Sequence, residues 1–132
     1  MNMTFRNTAG PAAHQAVALR VDSDRSAFFR VAVEGHQDTL YAHSLRQLYR
    51  DCRIAGTVDF VFGNGIVVVQ RSLVATLPLA PGQTGSVTAQ GREDPNGLLL
   101  PRLRGGGQVP DVSGPPVEAL LAGRRDGVLP GP

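Results

Sequence analysis

Short runs of alternating apolar and polar residues fill the first two thirds of the chain. Val31 and Val33, Cys52 and Ile54, and Val67 and Val69 occupy alternate positions of runs bounded by glycine-containing turns. No apolar stripe at positions i, i+3 and i+4 extends over the length of a helix. The pattern therefore predicts short β-strands separated by turns.

A spacing of about 22 residues relates successive runs, and this length is typical of solenoid repeats. The pair His14-Gln15 recurs as His36-Gln37, and Asp59 lies the same interval beyond Gln37. The leucine ladder of a leucine-rich repeat is absent. A parallel β-helix fits this period, with the strands of adjacent coils about 4.8 Å apart. We expect Gln15, Gln37 and Asp59 to form a column on one face.

Composition and charge exclude several classes of protein. A chain of 132 residues favours one domain. The net charge is +2, with 13 basic residues, all arginine, and 11 acidic ones, which is too mild to indicate a nucleic acid or membrane partner. Cys52 is the single cysteine, so an intrachain disulfide is excluded. The longest apolar run, residues 66–69, is too short to span a bilayer, and the first residues lack the features of a signal peptide.

Glycine and proline are concentrated at the end of the chain. Residues 97–132 hold 14 of the 26 glycines and prolines and no aromatic residue. Such a segment buries too little apolar surface to offset the entropy of ordering it. We therefore expect a β-helix domain over residues 1–96 and a low-complexity, disordered tail over residues 97–132.

Stacked coils bring two carboxylates together. Asp38 follows Gln37 in one coil and is expected to lie close to Asp59 in the next coil. Two neighbouring carboxylates tend to titrate apart, so that one remains ionised while the other keeps its proton. Gln15 and Gln37 would add amide N–H donors of the kind that stabilise an oxyanion. These groups predict an acyl-transfer site that needs neither a serine nor a metal.

Three segments carry a family resemblance. Gln15-Ala-Val-Ala-Leu19, Gln37-Asp-Thr-Leu-Tyr41 and Asp59-Phe-Val-Phe-Gly63 resemble signature segments of the plant-type pectin methylesterases, the pectinesterase family, in the same order and spacing. Residues 7–11 and 88–92 are similar to flanking segments. The resemblance covers roughly residues 1–96. It implies an all-β, right-handed parallel β-helix of four to five coils that hydrolyses galacturonate methyl esters in pectin, without a cofactor, in the extracellular cell wall.

The resemblance also implies a role for individual residues. Asp59 corresponds to the nucleophile, Asp38 to the general acid and base, and Gln37 to the oxyanion donor. Substrate contacts correspond to Gln15, which also stabilises the oxyanion, and to Tyr41 and Phe62, which contact sugar rings.

The chain departs from the family in ways that predict impaired activity. The later Leu-Gly-Arg-Pro-Trp segment, whose arginine holds the nucleophilic carboxylate, has no counterpart, and the tail is unrelated to the family. Ser72 stands where plant members usually carry the cysteine that pairs with Cys52, which leaves Cys52 as a free, buried thiol. We expect a fragment truncated at both ends, with exposed coil ends that favour self-association.

Other functions are less well supported by the residues. A catalytically inert carbohydrate-binding or structural β-helix fragment is the main alternative, and a β-helix lyase or polygalacturonase is another. His14, His36 and His43 lack the spacing and the carboxylate partner of a zinc site, so no metal is expected. Gly63-Asn64-Gly65 is better interpreted as a turn than as part of a dinucleotide motif, and no Gly-x-Ser-x-Gly elbow occurs.

Overall fold

A computed structural model describes residues 2–89, and in this range the chain forms eleven short strands and one 3-10 turn. The strands are β1 (Met3–Arg6), β2 (Leu19–Val21), β3 (Ser26–Phe29), β4 (Val31–Glu34), β5 (Leu40–Ala42), β6 (Arg46–Arg50), β7 (Arg53–Gly56), β8 (Val61–Phe62), β9 (Ile66–Gln70), β10 (Leu73–Thr76) and β11 (Thr88–Ala89). The 3-10 turn, Pro11–Ala13, lies between β1 and β2. The prediction of short strands is confirmed.

The strands form three parallel sheets that wind into a β-helix. The strand orders are β1-β4-β7-β10, β2-β5-β8-β11 and β3-β6-β9. All strand pairs are parallel. Each coil gives one strand to each sheet before the next coil begins. The described residues form three complete coils and two strands of a fourth, so the predicted four to five coils lie in part outside the described residues.

Alternation along β5, β6 and β9 places every second side chain inside the coil. In β6 and β9 the buried positions are Gln47, Tyr49, Val67 and Val69, which are paired across the sheet. Tyr49 also stacks on Phe28 of β3, with ring centroids 4.9 Å apart and an angle of 5° between the rings. Side chains at equivalent positions of neighbouring coils thus pack in columns, which explains why a repeating apolar pattern folds in this way.

One buried polar side chain is fully engaged inside the coil. The Gln47 amide donates to the carbonyl oxygens of Val21 at 2.9 Å and Ser44 at 3.0 Å. Its own oxygen accepts a hydrogen bond from the Tyr49 hydroxyl at 2.8 Å. Burial raises the pKa of the Tyr49 hydroxyl well above its usual range, so it remains a donor. The network ties the second coil to the first, because buried polar groups are stable only when they are paired.

The corner after the third sheet uses a left-handed residue in each coil. Arg30, Asp51 and Arg71 have φ of 54°, 55° and 49°. The Arg71 guanidinium donates to the Asp51 carboxylate from two nitrogens, at 3.1 and 2.9 Å. This ion pair holds the pKa of Asp51 below its usual value. Charged side chains outside the coil therefore link neighbouring coils at this corner.

No helix in the described part of the chain is long and apolar enough to cross a membrane. The predicted disordered tail, residues 97–132, lies outside the described residues.

Candidate active site

The candidate site lies at the corner between the first and second sheets. Gln37 and Asp38 fall between β4 and β5, Asp59 falls between β7 and β8, and Gln15 falls in the longer connection between β1 and β2. Asp38 and Asp59 have φ of 59° and 47°. Aspartate tolerates this left-handed conformation better than most residues. The corner therefore presents both carboxylates from equivalent positions of adjacent coils.

The register brings Asp38 level with Asp59. Gln15 pairs with Gln37 in an isolated parallel bridge. In the next interval Leu40 pairs with Val61, and the Asp38 N–H donates to the Val58 carbonyl at 3.0 Å. The predicted column of Gln15, Gln37 and Asp59 is therefore wrong in its last member, because Gln37 is level with Val58.

A bulge in the first coil explains this difference. The N–H groups of Ala18 and Leu19 both donate to the carbonyl oxygen of Thr39, at 2.9 and 3.2 Å, so the first coil holds one extra residue. Before the bulge, Gln15 pairs with Gln37 at a spacing of 22 residues. After the bulge, Leu19 pairs with Leu40 at a spacing of 21 residues. Asn7 fixes the bulged segment, since its side-chain amide donates to the Val17 carbonyl at 3.0 Å.

The two carboxylates have different environments. Burial raises the pKa of Asp38, and the negative charge of Asp59 raises it further. The Asp59 carboxylate accepts a hydrogen bond from the Ser86 hydroxyl through Oδ1. Asp38 therefore keeps its proton to a higher pH than an ordinary aspartate side chain does.

Ser86 is a site residue that sequence reasoning missed. Its hydroxyl oxygen accepts the Asp59 N–H at 2.9 Å and donates to the carboxylate of the same residue. Ser86 lies further from Asp59 along the chain than one repeat, because a loop of residues 77–87 separates β10 from β11. The constant repeat that locates the other site residues therefore gives no signal for this one.

The two glutamine amides are available to a ligand. Gln15 is exposed and Gln37 is half-buried. Neither side chain makes a hydrogen bond within residues 2–89. Their backbones are fixed by the bridge between them, so the amides can donate to an oxygen held above the corner.

Aromatic side chains line the outer face of the second sheet beside the carboxylates. Tyr41 pairs with Phe62, and their rings stack with centroids 4.5 Å apart and an angle of 10°. Arg20 pairs with Tyr41 on the other side, with its guanidinium carbon 5.2 Å from the ring centroid. Leu40 and Val61, their neighbours in sequence, are buried in the core. Tyr41 and Phe62 are therefore held outward, along the same edge as the carboxylates.

The turn after Phe62 requires glycine. Gly63 has φ of 120°, and a Cβ atom there would lie 2.1 Å from the Ala42 carbonyl oxygen. The predicted turn at residues 63–65 is confirmed, between β8 and β9. Among the described residues, no three histidine, cysteine or acidic side chains are grouped as a metal site would need.

Cys52 is free and buried, as the sequence predicts. It is 2% exposed, and its N–H donates to the Ser72 hydroxyl at 2.9 Å. Burial raises the pKa of the thiol. Cys52 and Ser72 are thus neighbours in adjacent coils, the relation expected of the cysteine pair that Ser72 interrupts.

The sequence model of the pectinesterase family matches residues 1–99. The chain belongs to the pectinesterase family. Pectinesterase 2 of Citrus sinensis is 59% identical over 107 residues, which are 78% of this chain and 21% of that protein. The structure of the pectin methylesterase from carrot has a TM-score of 0.68 and 57% identity, covering 71% of this chain and 30% of the carrot enzyme.

A second structure adds a ligand. A pectin methylesterase solved in complex with a hexasaccharide has a TM-score of 0.60 and 34% identity, covering 66% of this chain and 31% of that enzyme. The predicted family and the right-handed parallel β-helix are confirmed. The chain spans about a fifth of the length of the curated pectinesterases that it matches.

Proposed function

We propose that this chain hydrolyses the C6 methyl ester of galacturonate units in pectin, with low turnover. The observation that carries the proposal is the corner at which Asp38 lies level with Asp59, with the amides of Gln15 and Gln37 beside them. Membership of the pectinesterase family indicates ester hydrolysis, and the side chains at this corner include a group for each step of that reaction.

The proposed reaction uses the two carboxylates in different protonation states. Asp59 attacks the ester carbonyl through Oδ2, because Oδ1 is bound to Ser86. The amides of Gln37 and Gln15 donate to the oxyanion that forms. As the C–O bond to methoxide breaks, Asp38 gives its proton to the leaving oxygen, and methanol departs. An anhydride between the substrate and Asp59 remains.

Water completes the cycle. Asp38, now ionised, removes a proton from a water molecule, which attacks the carbonyl carbon of the anhydride. The bond to Asp59 breaks, which frees the Asp59 carboxylate and a galacturonic acid group, and the acid then loses its proton to solvent. The raised pKa of Asp38 supports its role as the acid of the first step.

Low turnover follows from what surrounds Asp59. Within the described residues, its carboxylate is held by the neutral hydroxyl of Ser86 and by no arginine. The loss of one preorganised electrostatic group costs about a hundredfold or more in rate. We therefore propose impaired activity, on pectin outside the cell, in the cell wall.

Methanol release from highly methylated pectin tests the proposal. We expect slow release by the full chain, falling to background in Asp59→Asn. Asp51→Asn is the matched control, because Asp51 is also an aspartate at a left-handed corner, but in the connection between β6 and β7. It should release methanol at the rate of the unmodified chain.

Each outcome has a distinct meaning. Release that Asp59→Asn leaves intact removes Asp59 from the nucleophile role. No release by the unmodified chain favours the inert carbohydrate-binding fragment, for which the stacked, half-buried rings of Tyr41 and Phe62 would still provide a binding surface.

A further inference from the structure

Tyr41 and Phe62 form a column of stacked rings, the aromatic column, and Arg20 extends it by one coil. Arg20 lies on β2, in register with Tyr41, which is in turn in register with Phe62. Its guanidinium carbon is 5.2 Å from the centroid of the Tyr41 ring, within the range of a cation–π contact. The outer face of the second sheet thus presents two aromatic rings followed by one cation.

The two terminal nitrogens of the Arg20 guanidinium are available to a ligand. Its Nε donates to the Asp22 carboxylate at 3.0 Å, and the terminal nitrogens have no acceptor among residues 2–89. By contrast, Arg6, Arg46 and Arg71 each donate from Nε and Nη2 to a single carboxylate. Arg20 therefore differs from these arginines because both of its terminal guanidinium nitrogens lack an acceptor among residues 2–89.

Neighbouring side chains fix this orientation. Asp22 contacts both Arg20 and Nδ1 of His43. The His43 ring meets Tyr41 edge-on, at 4.9 Å between centroids and 73° between planes. Asp22 also offsets part of the positive charge of Arg20, so the attraction of Arg20 for an anion is moderate.

We propose that Arg20, one coil before Asp38 and two coils before Asp59, binds the carboxylate of an unesterified galacturonate unit that neighbours the reacting unit on the Asp38 side. The ligand follows from the proposed function, and adjacent coils are about 4.8 Å apart, a length comparable to one sugar unit of an extended chain. Planar guanidinium groups bind carboxylates through two parallel hydrogen bonds, which a methyl ester cannot match because it carries no charge. Arg20 thus distinguishes an acid from an ester at the neighbouring unit.

Titration calorimetry with unesterified hexagalacturonate tests this inference without turnover. The full chain is compared with Arg20→Gln, Arg20→Lys and Arg25→Gln. Arg25 is the matched control, since its side chain is 80% exposed and lies beside the third sheet. We expect Arg20→Gln to weaken binding roughly two- to fivefold at low salt, as for a partly exposed charge pair. Arg20→Lys should be intermediate, and Arg25→Gln unchanged.

A neutral ligand separates charge recognition from packing. Fully methyl-esterified hexagalacturonate is titrated into the Asp59→Asn chain, with and without Arg20→Gln, so that no ester is consumed. Arg20→Gln should not change the affinity of the chain for the ester. Its effect on the affinity for unesterified hexagalacturonate should become smaller as salt is added. Circular dichroism establishes that each variant is folded.

The inference is overturned if folded Arg20→Gln binds the acid as tightly as the unmodified chain. Equal losses for acid and ester also overturn it, as does failure of the unmodified chain to bind the acid. Methanol release is measured separately. Binding that depends on Arg20 without methanol release contradicts the proposed reaction alone, and release with binding that ignores Arg20 contradicts this inference alone.

Discussion

Substitution of Gly56 should affect both the stability of the coil and the position of the two carboxylates. Gly56 ends β7, three residues before Asp59. A Cβ atom at this position would lie 2.2 Å from Cβ of Phe60 and 2.7 Å from Oγ1 of Thr39. Phe60 and Thr39 are both fully buried, and each directly follows one of the two carboxylate residues. Gly56→Ala therefore forces atoms into a space that is already filled.

The size of the effect follows from these distances. Carbon atoms in contact are normally about 3.5–4.0 Å apart, so Phe60 or the backbone must move by more than about 1 Å. Overpacking of a core costs about 1–3 kcal/mol and occasionally more. We expect Gly56→Ala to lose about 3 kcal/mol, which lowers Tm by about 12–24 °C in a domain of this size.

Gly35→Ala provides a graded comparison. Its Cβ would meet Oγ1 of Thr39 at 2.9 Å, a milder contact than that at Gly56. Urea unfolding followed by circular dichroism gives both free energies. We expect the loss at Gly56 to exceed that at Gly35, together with a loss of methanol release. A Gly56→Ala chain within about 0.5 kcal/mol of the unmodified protein would show that Phe60 does not pack against β7 as described.

Three further predictions concern neighbouring coils. Ser72→Cys should form a disulfide with Cys52 and stabilise the chain by about 3 kcal/mol, measured by thiol titration and urea unfolding, and two free thiols after oxidation would contradict the pairing. Ser86→Ala should lower kcat about tenfold or more with KM unchanged, while Ser86→Thr retains the rate, and equal rates would show that Ser86 does not position Asp59. Because strands β1, β2 and β3 lie at sheet edges, sedimentation should reveal association that increases with concentration, and a monomer at all concentrations would oppose it.

The sequence predicts the fold better than it predicts the register. The alternation at residues 67–70 identifies β9, because burial on one side of a strand demands a period of two. In β4 the apolar residues predict the strand but not its burial, since Val31, Ala32 and Val33 are all buried. The bulge at Ala18 is invisible in that pattern, since one extra residue in a turn region changes no apolar alternation. Because of this bulge, the predicted column of Gln15, Gln37 and Asp59 is wrong in its last member, and Asp38 instead of Gln37 is level with Asp59.

Contacts made by loops of unequal length could not be predicted either. Ser86 reaches Asp59 from a loop whose length breaks the repeat. Arg20 has an ordinary place in a strand, and only its register with Tyr41 reveals it as part of the aromatic column. Residue spacing identifies groups that recur in every coil, whereas groups that occur once need the folded chain.

Asp38 gives a pH dependence of stability opposite in sign to that of the carboxylates paired with arginine. Its pKa is raised by burial and by Asp59, so between the ordinary value of 3.8 and the raised value the folded chain binds more protons than the unfolded chain. Stability from this residue is therefore lost as pH rises through that window. The pKa values of Asp51 and of Glu34 are lowered chiefly by hydrogen bonds from arginines, and their contribution is lost as pH falls.

Two substitutions separate the causes. Asp38→Asn removes the titrating group, so its stability relative to the unmodified chain should improve as pH rises from about 3.5 to 7, the span around the ordinary carboxyl pKa. Asp59→Asn removes only the neighbouring charge, so the pKa of Asp38, followed by carbon NMR, should fall but stay above 3.8, because burial is the larger cause. If Asp59→Asn left the Asp38 titration unchanged, the two carboxylates would not interact, and the division of roles between acid and nucleophile would lose its electrostatic basis.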